Sequence, residues 1–372
     1  MTTAAPQEPA LQAPLTIDLK PTAHPLSDAE RARRLENPGF GRVFTEHMVA
    51  IKWSAGRGWH DAQLTPYAPL EIDPANMTLH YAQSIFEGLK AYRRPDGSVA
   101  TFRPQANAAR FQNSARRLAM PELPQELFVA AVEALVRQDS AWVPTKPEES
   151  LYLRPFMFAT EVGLGVKPAN EFLFMVIASP AGPYFAGGVK PVSVWLSQEY
   201  VRAVPGGTGE AKCAGNYAAS LIAQAQAIEQ GCDQVVWLDA VERRWIEELG
   251  GMNMFFVFDD GSIVTPPLSG TILPGITRDA IITLARDAGL TVREELYAID
   301  QWQADAESGR LTESFACGTA AVVTPVGKVT RGETSFTIGA GGPGQVTGML
   351  KDKLVNIQRG RAADPHGWVT RL

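Results

Sequence analysis

The sequence predicts a mixed α/β (α+β) protein of two domains, on three observations. Its 372 residues, 45% hydrophobic and 20% charged, suffice for two domains and a large core. Strand-like and helical stretches follow one another without a regular βαβαβ order, which argues against a doubly wound nucleotide fold. A Gly/Pro-rich stretch, AGPYFAGGVKP (181–191), separates two halves that each carry strands and helices. The expected organisation is an arm over 1–34, a smaller α/β domain over 35–180, a linker over 181–191 and a larger α/β domain over 192–372.

Residues 1–25 are rich in Pro, Ala and Thr and read as a loose arm. HMVAIKW (47–53) alternates and ends in turn residues, as a strand does. Residues 79–104 begin with a short helical piece reaching Phe86. Two strand-like runs then flank Pro95-Asp96-Gly97, a hairpin signal. Residues 105–120 carry small or apolar residues at helical spacing, and 125–143 form a strong amphipathic helix. SLYLRPFMFAT (150–160) and FLFMVIASP (172–180) are strand-like. Beyond the linker, VSVWLSQEYV reads as a strand, and NYAASLIAQAQAIEQG (216–231) as a helix stopped by Gly231. Residues 234–268 read as successive strands with a turn at Asp260-Gly261. A helix over 275–289 follows, then a strand–tight turn–strand over 313–329, then a last helix over 344–360.

Composition excludes several function classes. Net charge is -6 and no basic tract stands out, so nucleic acid is not an expected partner. The three cysteines have no CxxC spacing, which suits reduced thiols in a cytosol rather than a disulfide framework. Five histidines, with no HxH or HExxH, make a catalytic metal site improbable. No apolar run reaches the roughly 18 residues that span a bilayer. The first residues lack the charged and apolar regions of a signal peptide. The expected setting is the cytoplasm, without a membrane.

The chemistry concentrates around GGTGEAKCAGNYAAS (206–220). Lys212 sits among small residues, where burial favours the neutral amine and a neutral amine can form a Schiff base with an aldehyde. With a helix starting near Asn216, Tyr217 lies about one turn on and can face the same pocket. In EELGGMN (247–253) two adjacent carboxylates, Glu247 and Glu248, point to opposite faces of a strand, so one faces inward and needs a partner. LPGITRDA (273–280) offers helix N-terminal N–H groups for a phosphate, and CGTAA (317–321) is a second small-residue turn. Arg110 adds a cation. An amine, an acid, a phenol and phosphate cradles together suit pyridoxal phosphate.

The stretches FTEHMVAIKW, LHYAQSIFEGLKAY, LYLRPFMFAT, GGTGEAKCAGNYAAS, EELGGMN, SGTILPGITR and CGTAAVVTPV, in that order, resemble the branched-chain amino acid aminotransferases. That family has the two-domain fold type IV architecture of pyridoxal phosphate enzymes. The likeness runs from about Phe40 to Trp368. It implies Lys212 as Schiff-base lysine and proton shuttle, Glu248 as partner of the pyridine nitrogen, and Tyr217 on the phenolic oxygen. It implies Arg110, Ile276, Thr277 and Thr319 around the phosphate, and the Thr319–Ala320 turn on the substrate α-carboxylate. Phe40, Tyr81, Phe86, Tyr152 and Tyr184 would build the apolar side-chain pocket, with Arg154 receiving the second carboxylate of glutamate.

The implied reaction moves the amino group of leucine, isoleucine or valine to 2-oxoglutarate in ping-pong order, in a homodimer. Two relatives of the same fold, aminodeoxychorismate lyase and D-amino acid aminotransferase, rank below it, and a non-catalytic homologue ranks last. Two departures stand out. The mammalian members' CxxC pair falls on Ala321 and Thr324, so no thiol switch is expected there. The human members' Thr beside the acid is Gly251 here, which removes one hydroxyl.

Overall fold

The computed structural model describes residues 15–182 and 190–372. Tyr184 lies outside the described residues. The described chain divides into two compact units. The first comprises the chain up to Ala91, Pro104–Gly182 and Leu372; the second comprises Tyr92–Arg103 and the chain after the linker up to Arg371.

The division differs from the contiguous one the sequence suggested, because Tyr92–Arg103 goes with the second unit. The reasons are local. The Tyr92 hydroxyl donates to Gln358 Oε1 at 3.1 Å, and the Arg359 guanidinium lies over the Tyr92 ring at 5.4 Å. The Arg103 N–H donates to the Trp368 carbonyl at 2.7 Å, and Val99–Phe102 pairs with Val369–Arg371.

In chain order the elements to the linker are β1 (Asp18–Leu19), α1 (Asp28–Leu35), β2 (His47–Ser54), β3 (Gly58–Pro66), α2 (Met77–Tyr81), β4 (Ser84–Phe86), β5 (Leu89–Arg93), β6 (Val99–Phe102), α3 (Pro104–Arg117), α4 (Gln125–Gln138), β7 (Ser150–Ala159) and β8 (Glu171–Ala181). The first unit is built on a sheet in which β3, β2, β8 and β7 run antiparallel in that order, with β4 and the start of β5 on β7. On α4, Phe128, Ala131, Val132, Leu135 and Val136 recur at helical spacing and are all buried. They meet the sheet through an aromatic triad of Phe111, Phe128 and Phe174, with ring centroids 5.4 to 5.9 Å apart.

The described part of the arm is not loose. Asp18–Leu19 pairs with Gln63–Leu64. The Thr22 N–H donates to His47 Nε2 at 3.0 Å, and α1 is capped by the Ser27 hydroxyl, which accepts from the Glu30 N–H. Short polar segments hold their place here through backbone donors, which hydrophobic patterning does not register.

The second unit holds β9 (Val192–Leu196), α5 (Ala214–Glu229), β10 (Gln234–Leu238), β11 (Ile246–Leu249), β12 (Met252–Phe258), β13 (Ile263–Thr265), α6 (Ile276–Asp287), β14 (Val292–Glu294), α7 (Ile299–Ser308), β15 (Leu311–Gly318), β16 (Val322–Arg331), β17 (Thr334–Thr337), α8 (Gln345–Gln358) and β18 (Val369–Arg371). Its sheet runs β11-β10-β9-β16-β15-β12-β13-β14, and β11 also pairs with β12. Six strands therefore close on themselves, which leaves each of the six paired on both sides, with β13 and β14 extending beyond β12. Along β12, Met254, Phe256 and Phe258 join a core around Trp302 of α7. Phe255 and Val257 join the opposite core, against Ile281 and Leu284 of α6 and Leu354 of α8. A strand buried on both faces reads as a continuous apolar run, which MFFVF is. Helix α7 escapes the sequence reading because IDQWQADAES is mostly polar; only Ile299, Trp302 and Asp305 are buried.

Candidate active site

The second unit gathers its chemistry at one end of the closed sheet. Cross-strand registers place Trp237, Glu248, Asn253, Cys317 and Val323 in one row across β10, β11, β12, β15 and β16. Two residues beyond Cys317 comes the Thr319–Ala320 turn that joins β15 to β16. The row thus sets the acid and the small-residue turn at the same end of neighbouring strands.

Lys212 stands two residues before α5, and Tyr217 lies on its first turns. Lys212 Nζ donates to the Tyr217 hydroxyl at 2.9 Å. The spacing across the helix start thus brings amine and phenol together, as the sequence predicted. Asn216 holds the approach: its Nδ2 donates to the carbonyls of Thr208 at 2.7 Å and Ala211 at 2.8 Å. Tyr217, Glu248, Gly251 and Leu273 line a shared cavity with Arg202.

Glu248 is 1% exposed. Its Oε1 accepts from Asn253 Nδ2 and from the Leu273 N–H, both at 3.1 Å, and its Oε2 lies 2.7 Å from Arg202 Nε. Burial pushes its carboxyl up to about 7, while the Arg202 guanidinium and the Leu273 N–H pull toward the anion. Strand parity predicts one of the two adjacent acids inside. Both are buried: Glu247 accepts from the Thr271 hydroxyl, and burial raises its carboxyl too. Alternation still holds, but both faces of β11 are covered.

The turn before α6 packs against β12. A Cβ on Gly275 would lie 1.9 Å from Asn253 Oδ1. Gly275 is the N-cap of α6 and no side chain caps the helix. Its first residues, Ile276 and Thr277, therefore present N–H groups without an intrahelical partner to whatever lies at that end. Gly251 lies beside the phenol, where a Cβ would make ordinary contact with Tyr217 Cε1 at 3.5 Å.

The first unit assembles a second group. The rings of Phe40 and Tyr152 meet edge to face at 5.1 Å. Arg154 Nη2 donates to the Tyr152 hydroxyl at 3.1 Å, and its guanidinium lies 4.6 Å over the Phe86 ring. Gly88 makes room for this phenol, since a Cβ there would come within 2.2 Å of Tyr152 Oη. Tyr81 donates to the Leu164 carbonyl and is 39% exposed. Arg110 forms a two-point pair with Glu87, at 2.8 and 2.7 Å.

Four contributors went unassigned in the sequence: Glu87, Gly88, Arg202 and Asn253. Each left a faint signal. Arg202 and Asn253 are single polar residues inside apolar runs, and Glu87-Gly88 interrupts IFEGL.

Comparison with known proteins follows the same geometry. The family described as Amino-transferase class IV matches residues 84–329. The chain is 66% identical over 358 residues to a probable branched-chain-amino-acid aminotransferase of Streptomyces coelicolor, covering 96% of this chain and 99% of that protein. It is 59% identical to the branched-chain-amino-acid aminotransferase of Mycolicibacterium smegmatis, with coverage of 96% and 99%. The chain belongs to the branched-chain-amino-acid aminotransferases of class IV. Solved members of the family share the fold. The Escherichia coli enzyme superposes with a TM-score of 0.73 at 28% identity, covering 87% of this chain and 98% of that one. A branched-chain amino acid aminotransferase from T.th., solved with pyridoxamine 5′-phosphate, gives 0.71 at 31%, covering 87% and 98%. Among the described residues, no cluster of side chains could hold a metal ion, and no helix is long and apolar enough to cross a membrane.

Proposed function

We propose that the protein transfers the amino group of leucine, isoleucine and valine to 2-oxoglutarate with pyridoxal 5′-phosphate, in ping-pong order. The observation that carries this reading is the 2.9 Å contact of Lys212 Nζ with the Tyr217 hydroxyl, beside the buried Glu248 carboxylate. The residues fit the cofactor. Lys212 supplies an amine for its aldehyde, Glu248 a buried anion for its ring nitrogen, Tyr217 a phenol for its oxygen, and the uncapped start of α6 N–H groups for its phosphate.

When bound, the cofactor supplies an electron sink for the bonds at the substrate α-carbon. This chain's residues do the rest. Lys212 would hold the cofactor through its aldehyde, and its amine, once free, would serve as the base and acid that moves the substrate α-proton. Tyr217 shares a hydrogen bond with Lys212 and so orients that amine. Glu248 holds a proton on the ring nitrogen by charge. Thr319 joins Ile276 and Thr277 on the phosphate side, and Ala320 completes the turn for the α-carboxylate. The resemblance assigns Arg110 to the phosphate as well.

The two half-reactions need a place for an apolar side chain and for a second carboxylate. The resemblance assigns the apolar wall to Phe40, Phe86 and Tyr152 and the cation to Arg154, which stacks on Phe86 within the first unit. Tyr81 and Tyr184 enter this wall on the resemblance alone. The working form is a homodimer, for which Leu221, Ile222 and Ile228 of α5 offer exposed apolar surface.

The test is optical. The protein loaded with pyridoxal phosphate should lose the absorbance of the lysine-bound cofactor on adding L-leucine or L-glutamate, and keep it with D-alanine. A response to D-alanine alone would move the reading to the D-specific relative. A Lys212→Ala protein that transaminates at the wild-type rate would overturn the lysine assignment.

A further inference from the structure

Arg202 is the one guanidinium in direct contact with Glu248 among the described residues, and the reading above gives it no role. It is 9% exposed and belongs to the approach to Lys212 rather than to any strand of the sheet. Its Nε lies 2.7 Å from Glu248 Oε2. Its Nη2 donates to the Gly209 carbonyl at 2.9 Å and also to the Thr271 carbonyl. One side chain thus joins three pieces of chain. Gly209 is three residues before Lys212. Thr271 is two before Leu273, whose N–H holds Glu248, and five before the start of α6. Glu248 lies on β11.

The two loops are also pressed together. A Cβ on Gly209 would meet the Thr271 carbonyl at 2.4 Å and the Ala203 Cβ at 2.6 Å. Only a residue without a side chain allows that approach. The planar fork of a guanidinium suits a site with several acceptors in different directions, and a compact ammonium does not.

We propose that Arg202 is a positioning residue that clamps the Glu248 carboxylate, the loop into Lys212 and the loop into α6 together. It thereby sets the ring-nitrogen anion, the lysine and the phosphate-binding turn against one another. The inference rests on the pyridoxal phosphate reading of this site. The charged groups around Glu248 are Arg202 and Lys212, which favour its anion, and Glu247, which opposes it. Cys317, next in the row beyond Asn253, is buried and held well above the usual thiol range. Arg202 is thus one of two cations that offset the burial of this carboxyl.

The test uses the full-length protein and variants Arg202→Met, Arg202→Lys and Gly209→Ala, each loaded with pyridoxal phosphate. Three quantities are read: the cofactor dissociation constant, the pH midpoint of the bound cofactor's visible absorbance, and kcat and KM separately. Arg202→Met should weaken cofactor binding about 10- to 100-fold, shift the pH midpoint by about one unit and lower kcat more than KM changes. Arg202→Lys should restore most of the pH midpoint, because it restores the charge, but not the affinity. Gly209→Ala wedges the loops with the charge intact. It should weaken affinity about 10-fold and leave the midpoint in place. Should Arg202→Met not fold, the other two variants decide, both being expected to bind the cofactor more weakly at a pH midpoint close to that of the wild type. A lysine variant and a Gly209→Ala variant that both match wild type in affinity and midpoint overturn the proposal. A wild-type protein that does not take up the cofactor at all overturns the underlying reading instead.

Discussion

Replacing Glu87 by Ala would remove the acceptor from a guanidinium that has little access to water. Glu87 is fully buried and the Arg110 side chain is 8% exposed. They meet through two parallel hydrogen bonds, Nε to Oε1 at 2.8 Å and Nη2 to Oε2 at 2.7 Å. A surface ion pair contributes about 0 to 1 kcal/mol. Here the larger effect is desolvation, because removing the carboxylate takes the two-point acceptor away from a buried guanidinium, at about 3 to 5 kcal/mol. Arg110 cannot swing easily to solvent. It belongs to α3, whose next residue, Phe111, is fully buried against Phe128 and Phe174. At about 2 to 4 °C per kcal/mol, Glu87→Ala should lower the melting temperature by about 10 °C. Removing both charges with Glu87→Ala and Arg110→Met should cost clearly less than the sum of the single changes, with a coupling of about 2 kcal/mol or more. Thermal melts by circular dichroism on the four proteins measure this. Additive losses within about 0.5 kcal/mol would refute the argument that the pair matters through mutual compensation.

Gly88→Ala would place a Cβ 2.2 Å from Tyr152 Oη and 3.0 Å from Cζ, so the ring that Arg154 and Phe40 hold must move. Kinetics should show kcat/KM for leucine and glutamate down by about 10-fold or more, with an overpacking cost of about 1 to 3 kcal/mol in stability. Unchanged kcat/KM would remove Tyr152 from the substrate wall. The cofactor-free protein should also lose stability as pH rises through the window 4.5 to 7. There the folded chain keeps a proton on Glu248, pushed up to about 7 by burial, that the unfolded chain has released at its ordinary 4.5. Folding then takes up a proton, so the contribution falls by about 3 kcal/mol across the window. Denaturant melts of wild type and Glu248→Gln at pH 5 and 7.5 compare the slopes. A wild type no more pH-sensitive than the variant would show that Glu248 is already ionised at pH 5.

Much of the site was legible because its logic is local. Lys212 and Tyr217 are five residues apart across a helix start, and that spacing alone points both at one pocket. Gly275 and Ile276 mark a helix N-terminus by composition, as Asp260-Gly261 marks a hairpin. Apolar runs such as MFFVF announce a strand covered on both faces, since periodicity within ten residues reports burial. The choice of Glu248 over Glu247 came from the resemblance, because alternation separates two faces without saying which is covered.

The tertiary structure decided what depends on partners far along the chain. That both acids are buried follows from Thr271, Arg202 and Asn253, which lie 24 or more residues away or on another strand. That Tyr92–Arg103 joins the second unit follows from contacts with residues beyond 350. Arg202 shows the difference most plainly. In the sequence it is one arginine in VRAVPGG. Only folding brings the carbonyls of Gly209 and Thr271 and the Glu248 carboxylate within reach of one guanidinium. Local spacing fixes which groups a segment can present, because the chain's geometry is short-ranged. Which buried charge meets which partner is set by loop closure across the whole unit, and no window of sequence contains it.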